Sequence, residues 1–343
     1  MSLNKVYIVV NANERIGLGH LTRCMFLANE FRLKNVTIEF VSYVLSIKGQ
    51  NIIKKEKYDL TIYSCKEDVV KIGDSMLKFD DKLILIDSDN DYFYGEDIQD
   101  EFLSLGVKLM FITVKNQFKF KSHFLLNQNI IALSQDYNTD KRTIKMLGPD
   151  YFIISDRFKS INKEEIINRR KSSNLLVTFG GSDPNNVTEK VLHLLKDKIS
   201  LYSKITVVVG GMNSNKELIL NHPVVKINSS VIEVIIDTKE MENLISDSDV
   251  AITSLGLTFW EIMLHEVPCI LISGSKREND QISFFCSRKF AHYMGDFDDL
   301  DWEEKWSANL NEFNPNKLLY KELSDKINVN GKTKIVEEII SNF

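Results

Sequence analysis

Cysteine is scarce in this chain of 343 residues, and the four present, Cys24, Cys65, Cys269 and Cys286, stand far apart with no CxxC pair. That spacing gives no disulfide framework and reads as free thiols in a reducing compartment. No arrangement of Cys and His suits a metal ion, so no metal site is expected. An excess of one charge is lacking too: 43 Lys and Arg stand interspersed with 48 Asp and Glu, for a net charge of -5. A nucleic-acid partner would call for a basic stripe, which this balance does not supply. The Lys-rich pieces Lys54–Lys57 and Lys115–Lys121 read as solvated faces. Long apolar runs are missing, as is a basic leader ahead of one. Membrane insertion is therefore not expected, and the default compartment is the cytoplasm. Pro and Gly are few, and a 43% apolar, 27% charged composition is that of an ordinary globular protein.

What is present is an alternation of short apolar runs and amphipathic stretches. In the first half KVYIVVNA, VTIEFVSYV, DLTIYS, KLILIDSD, GVKLMFITV and HFLLNQNIIAL read as strands, and LTRCMFLANEFRLK carries apolar residues at helical spacing. In the second half NLLVTF, KITVVVGG, VVKIN, DVAITS and PCILIS read as strands. VTEKVLHLLKD, SLGLTFWEIMLHEV and KTKIVEEIISNF read as helices. Strands without strict polar alternation suit parallel sheets covered on both faces. The expected fold is α/β, with two Rossmann-like domains, residues 1–155 and 173–343, facing a cleft. A polar linker at about 156–172 joins them. Ligands of such domains bind at the carboxyl ends of the strands.

Three strand-to-helix turns carry candidate chemistry. In RIGLGHLTRC, residues 15–24, Gly17 and Gly19 let a ligand approach the backbone, and His20 falls in the first turn of the following helix. The positive end of the helix dipole disfavours an imidazolium there, so a neutral His20 able to accept a proton is expected, with Arg23 near the same face. In VTFGGSDPNNVTEKVL, residues 177–192, Gly180, Gly181 and Ser182 form a phosphate-compatible turn, and Asn185 or Asn186 is the expected helix cap. It matches neither a dinucleotide fingerprint nor a Walker loop, and no cofactor is expected. In ITSLGLTFWEIMLHEVP, residues 252–268, Gly256 breaks the chain and the N–H groups of Leu257 and Thr258 open toward an anion. Glu261, one turn further, is an acid in an apolar helix and suits a ribose diol. ENDQ, residues 278–281, brings Asn279 and Gln281 to the same rim as neutral hydrogen-bonding groups.

The ordered set GxGHxxRC, FGGSDP, LGLTFWE…VP and NxxQ resembles the UDP-sugar hydrolases of pseudaminic acid biosynthesis. These group with the spore-coat polysaccharide protein SpsG and are distantly related to the lipid II-forming glucosaminyltransferase. LGPDYFIISDRF and NGKTKIVEEI extend the resemblance over nearly the whole chain. The resemblance implies a GT-B fold with the nucleotide in the second domain and the sugar presented to His20, which would assist a water attacking the anomeric carbon. It places the diphosphate near Gly256–Thr258 and the ribose at Glu261, and it adds Asn13 and Asp87 to the substrate side. Departures fall at Asn11-Ala12-Asn13, at Asp87-Ser88-Asp89 and at Leu255-Gly256, where Leu257 intervenes before Thr258; the nucleotide half follows the family more closely than the sugar half. The leading expectation is hydrolysis of a UDP-linked deoxy-amino sugar for surface polysaccharide or nonulosonic acid synthesis. A GT-B glycosyltransferase and a non-catalytic nucleotide-sugar-binding protein are the alternatives. The expected partner is a small nucleotide-sugar.

Overall fold

The computed structural model describes residues 3–13, 15–78, 81–159 and 173–343. Most of the expected linker, residues 160–172, lies outside them. The chain divides into two compact units: Met1–Ser155 together with Ile327–Phe343, and Asp156–Lys326.

The first unit runs β1 (Lys5–Val10), α1 (Gly19–Leu33), β2 (Thr37–Ser42), α2 (Ile47–Lys55), β3 (Asp59–Ile62), β4 (Lys82–Asp87), α3 (Glu96–Ser104), β5 (Lys108–Ile112), β6 (Lys119–Phe120), β7 (Phe124–Asn127), β8 (Asn138–Thr139) and β9 (Ile144–Leu147). Seven strands form one sheet in the order β3-β2-β1-β4-β5-β7-β9, with parallel neighbours throughout; β6 and β8 pair separately. The two-residue side-chain period of a strand explains why these runs are apolar on every residue. Val6, Ile8 and Val10 of β1 enter one core with Leu83 and Leu85 of β4 and Leu21, Leu27 and Phe31 of α1. Their neighbours Tyr7, Val9, Ile84 and Ile86 enter a second core on the opposite face, with Phe93, Phe102 and Phe120.

The second unit runs β10 (Asn174–Thr178), α4 (Val187–Leu195), β11 (Lys204–Val209), α5 (Lys216–Leu220), α6 (Pro223–Ile227), β12 (Ile232–Ile236), α7 (Met241–Ser246), β13 (Val250–Thr253), α8 (Leu257–Leu264), β14 (Cys269–Ser273), α9 (Asn279–Ser287), β15 (His292–Asp296), α10 (Trp302–Asn311) and α11 (Tyr320–Ser324). Its sheet is parallel in the order β12-β11-β10-β13-β14-β15. Both sheets reverse strand order once, between β1 and β4 and between β10 and β13. In doubly wound sheets such reversal points open a crevice beyond the carboxyl ends of the strands.

Two expectations differ from the structure. VVKIN is not a strand. Pro223 takes the first helical position behind His222, and Val224–Ile227 continue as α6. Proline there has its φ already set for a helix and loses no hydrogen bond, which outweighs the β-propensity of two valines. The strand of this region is IEVII, β12, at the sheet edge. Only Ile232 of it is fully buried, so its pattern is weak. The C-terminal helix α12 (Gly331–Ser341) was expected in the second domain, yet Ile335, Val336 and Ile339 join the core of β1 and α1 in the first unit. Lys332 Nζ lies 3.2 Å from Glu30 Oε1 of α1, and both side chains are under a tenth exposed. Thr333 Oγ1 donates to the other oxygen of Glu30 at 3.0 Å. A Cβ on Gly331 would meet the backbone N and O of Phe152 at 2.4 Å, so glycine is what lets this helix start so close to the chain. Among the described residues no helix is long and apolar enough to cross a membrane.

Removing one partner of a buried ion pair strands the other. Lys332→Ala should therefore lower stability by about 3–5 kcal/mol, read by urea unfolding at neutral pH. A loss below about 1 kcal/mol would show that α12 does not depend on the pair.

Candidate active site

The last residues of β1 and β4, Val10 and Asp87, lie opposite each other at the first unit's reversal point. The chain leaving β1 is shaped by its own asparagines. Asn11 is buried, and its Oδ1 accepts from Ser42 Oγ at 3.0 Å and Val44 N at 3.3 Å, fastening the end of β2. Asn13 Oδ1 accepts from the N–H groups of Arg15 and Ile16 at 3.0 and 2.8 Å, and Gly17 N donates to the Asn13 carbonyl at 2.7 Å. Gly17 has φ +79°, a conformation glycine adopts without strain. Asn13 is thus a loop builder, and its acceptor oxygen is turned onto the loop itself. Helix α1 then starts at Gly19 with no side-chain cap, and the space where a Gly19 side chain would stand is open.

Residues 20, 23 and 24 share one face of α1, by the three- and four-residue spacing of helix neighbours. All three reach Asp87, whose side chain has no exposed surface. His20 Nδ1 lies 2.5 Å from Asp87 Oδ1. Arg23 Nε donates to Oδ2 and Nη2 to Oδ1, each at 2.5 Å. Cys24 Sγ donates to Oδ2 at 3.4 Å. The other nitrogen of the imidazole, Nε2, stands 3.3 Å from Oδ2 of Asp89. Burial alone would raise the Asp87 carboxyl, but the charges of Arg23 and His20 overcome it and hold Asp87 well below the usual carboxylate range.

The expectation of a neutral His20 is corrected here. Burial lowers its pKa, and Arg23 does so as well, but the charge and hydrogen bond of Asp87, with the hydrogen bond of Asp89, lift it from 6.5 to about 9. Two carboxylates in contact outweigh the partial charge of a helix end. A pKa of about 9 favours the imidazolium form of His20 at neutral pH.

At the second unit's reversal point the turn after β10 is built differently from the expectation. Neither Asn185 nor Asn186 caps α4. The buried carboxylate of Asp183 does, accepting from Val187 N at 2.8 Å, Thr188 N at 3.0 Å and Thr188 Oγ1 at 2.7 Å. A carboxylate satisfies several N–H groups at once, where an amide oxygen is a weaker acceptor at a helix start. Asn185 instead donates to the Gly274 carbonyl at 2.8 Å, tying this turn to the end of β14. Gly180 has φ +74°, and the carbonyl of Gly181 accepts from Met212 N at 3.0 Å. A Cβ on Gly210 would come within 2.4 Å of both glycine carbonyls, so the turn rests backbone to backbone on the end of β11. Ser182, the next residue, is partly exposed.

Beyond β13, α8 begins at Leu257 behind Gly256, again with no side-chain cap and with open space beside the glycine. The leading N–H groups, among them those of Leu257 and Thr258, have no acceptor within the helix. The N–H of Leu255 is already taken: Glu278 Oε2 accepts from it at 3.2 Å and from Gly274 N at 3.0 Å. Glu261 is half-buried in α8, and burial together with the charge of Glu242 raises its pKa to about 7. With its amide oriented to donate, Asn279 reaches Ser273 Oγ at 2.9 Å and Asp296 Oδ1 at 3.2 Å, so it braces the ends of β14 and β15. Gln281 lies two residues further along α9 and is partly buried. The structure thus gathers His20, Arg23 and Asp87 tightly in the first unit. In the second it arrays Gly180–Ser182, Gly256–Thr258 and Asn279 on the carboxyl ends of three adjacent strands.

Sequence reasoning assigned no role to Cys24, Asp89 or Glu278, and read Asp183 only as a polar group of its turn. Cys24 has a signal, its four-residue spacing from His20. Asp183 has one too, since it stands four residues ahead of the first helical residue. Asp89 and Glu278 reach partners 69 and 23 residues away in the chain, and local spacing carries no sign of that.

No protein-family model matches the chain. It is 28% identical over 286 residues to an uncharacterized protein of Methanocaldococcus jannaschii, covering 80% of this chain and 57% of that protein. It is 27% identical over 154 residues to the spore coat polysaccharide biosynthesis protein SpsG of Bacillus subtilis, covering 43% of each. The matches thus span about half the length of these curated relatives. Among solved structures the fold is similar to MurG of Acinetobacter baumannii, with TM-score 0.66, 11% identity, 99% of this chain and 100% of that chain covered. A UDP-glucosyltransferase of Polygonum tinctorium gives TM-score 0.66 at 11% identity, with 99% of both chains covered. Anabaena HepE in complex with UDP-glucose gives TM-score 0.57 at 9% identity, with 99% of this chain and 100% of that one covered. The fold is GT-B.

The His20 environment has a pH signature. Its folded-state pKa of about 9 lies above the unfolded value of 6.5, so its ion pairs stabilise the fold fully below about pH 6.5 and cease to do so as pH rises through about 9. Urea unfolding of the wild type and His20→Gln should differ most near pH 6 and converge near pH 10. A difference that does not change with pH would contradict the pairing.

Proposed function

We propose that this protein is a GT-B enzyme that cleaves a UDP-linked sugar and transfers the sugar to an acceptor hydroxyl in surface polysaccharide assembly. The observation that carries the reading is the His20–Asp87 contact at a reversal point of the sheet, with Nδ1 held by a buried carboxylate and Nε2 3.3 Å from Oδ2 of the partly exposed Asp89. A carboxylate on one ring nitrogen fixes the ring and stabilises the imidazolium that forms when the other nitrogen takes a proton. In the proposed step the acceptor O–H bond breaks, with its proton going to Nε2 of a deprotonated His20. The acceptor oxygen bonds the anomeric carbon, and the bond to the diphosphate breaks with its electron pair leaving on UDP. The second unit holds the nucleotide, with the diphosphate at the uncapped start of α8 and the ribose at Glu261. Proteins of similar fold include one named as a UDP-glucosyltransferase and one in complex with UDP-glucose, which supports transfer as the first reading.

Hydrolysis, with water in the acceptor's place, is the second reading. The motif set GxGHxxRC, FGGSDP, LGLTFWE and NxxQ favours it, because together these resemble the UDP-sugar hydrolases.

The test is UDP release from a panel of UDP-sugars, with mass spectrometry of the products. A transferred sugar supports the first reading, free sugar plus UDP the second, and unchanged donor with tight binding would leave a binding protein. His20→Ala should reduce turnover by about 10²–10⁴-fold while UDP binding persists. Wild-type turnover should rise with pH toward about 9, because only deprotonated His20 can take the proton. A profile that falls over that range would overturn the role as base. Glu261→Ala should weaken UDP binding by about 1–3 kcal/mol, read by calorimetry; unchanged affinity would rule out its contact with the ribose.

A further inference from the structure

A buried amide side chain normally has both of its ends hydrogen-bonded, because an unmet donor away from water costs free energy. Asn11 has only one end occupied. The residue follows β1 and is 4% exposed. Its Oδ1 accepts from Ser42 Oγ at 3.0 Å, Val44 N at 3.3 Å and Tyr43 N at 3.4 Å. A backbone N–H can only donate, so these contacts fix which arm of the amide is oxygen. The other arm, Nδ2, carries two N–H groups, and neither has an acceptor among the described residues. Its direction follows from strand alternation. Val10 and Ala12 belong to the core under α1, so Asn11 lies with Tyr7 and Val9 on the opposite face.

Tyr43, just beyond β2, is in the same position. Its ring packs against Phe93 of that face, with centroids 6.0 Å apart. Its hydroxyl accepts from Asn90 Nδ2 at 2.7 Å, and its own proton has no acceptor among the described residues. Asn90 is itself fixed. Its N–H donates to Ser88 Oγ at 3.2 Å, and its Oδ1 accepts from Tyr92 N at 3.0 Å. The phenol is thus held by its oxygen, with its proton left to give. The ends of three adjacent strands, β2, β1 and β4, therefore support two neutral donors that the fold does not use. They stand at the same reversal point as His20 and Asp87.

We propose that Asn11 and Tyr43 form a specificity-determining pair that donates to neutral oxygens of a sugar: hydroxyls, or the carbonyl of an acylamino group. The inference rests on the UDP-sugar reading and adds to it the residues that recognise the sugar. Neutral oxygens are favoured over anionic ones by the charges at this strand end. Arg23 and His20 are engaged with Asp87, and Lys115 with Asp91. An anionic group would meet those aspartates, whose cations are already in use, whereas a hydroxyl or amide oxygen needs only a donor. Two N–H groups on one nitrogen can also serve oxygens on neighbouring ring carbons. A site built this way discriminates against a sugar lacking the oxygen, because the donor is then left unpaired.

Two variants of the full chain test the pair. Asn11→Asp keeps an oxygen for Ser42, Tyr43 and Val44 to donate to and removes both N–H groups. Tyr43→Phe keeps the ring on Phe93 and removes the phenol, and it decides the matter if Asn11→Asp does not fold. Calorimetry compares UDP with UDP-glucose and UDP-N-acetylglucosamine, and saturation-transfer NMR compares free glucose with free N-acetylglucosamine. The sugar-bearing probe that the wild type binds best should weaken by about 3–10-fold in each variant, the worth of one hydrogen bond between neutral groups, while UDP affinity stays as in the wild type. Weakening of the UDP-linked probes assigns the oxygen to the donor sugar; weakening confined to the free sugars assigns it to the acceptor. Sugar binding unchanged in the variants overturns the proposal. So does an equal loss for UDP, which reports a disturbed fold, and so does a wild type that binds no sugar-bearing probe. A free sugar weakened by the variants in a protein with no affinity for UDP would keep the Asn11–Tyr43 pair and remove the nucleotide reading.

Discussion

The carboxylate of Asp87 is the point on which the first unit's chemistry depends. It stands at the end of a central strand, wholly out of contact with water, and such a charge is tolerated only when it is paired and hydrogen-bonded. Helix α1 supplies the partners from one face: a guanidinium on both oxygens, an imidazole and a thiol. The arrangement fixes the rotation of α1 against the sheet as much as it fixes the histidine. It also explains why His20 is cationic at the positive end of a helix, where a lone imidazole would be neutral. The strong field of two contacting carboxylates, one of them buried, exceeds the weak and partly solvated field of a helix end.

The rim of the second unit is built in another way. Three loops on adjacent strands are tied to each other through Asn185, Glu278 and Asn279, and an uncapped helix start is left beside a glycine. A preformed set of backbone donors suits an anion that arrives and leaves, since little has to be reordered on binding. The Glu278 carboxylate accepts from two backbone N–H groups of this rim, those of Leu255 and Gly274. Glu261, with its pKa raised to about 7, adds a hydrogen-bonding group whose charge is not fixed at neutral pH.

The sequence by itself determined the fold class and the landmarks of the site. Uniformly apolar strands require a parallel sheet covered on both faces, and glycines placed directly after strands mark where backbone is left open. Both signals are local, and two Rossmann-like domains and the glycine turns before His20 and after β13 were readable from them; the GT-B fold was what the resemblance of the ordered motifs implied. Tertiary structure decided the partners and the charge states. Asp87 and Asp89 meet His20 across more than sixty residues of chain, so nothing near His20 in sequence announces that it is protonated. Pro223 turned VVKIN into a helix, and the half-exposed edge strand IEVII went unread, because a weakly buried strand leaves little pattern to read. The last helix joined the first unit because the partner of its buried Lys332 is Glu30, some three hundred residues away. Periodicity records which face of an element is buried, and it does not record against what.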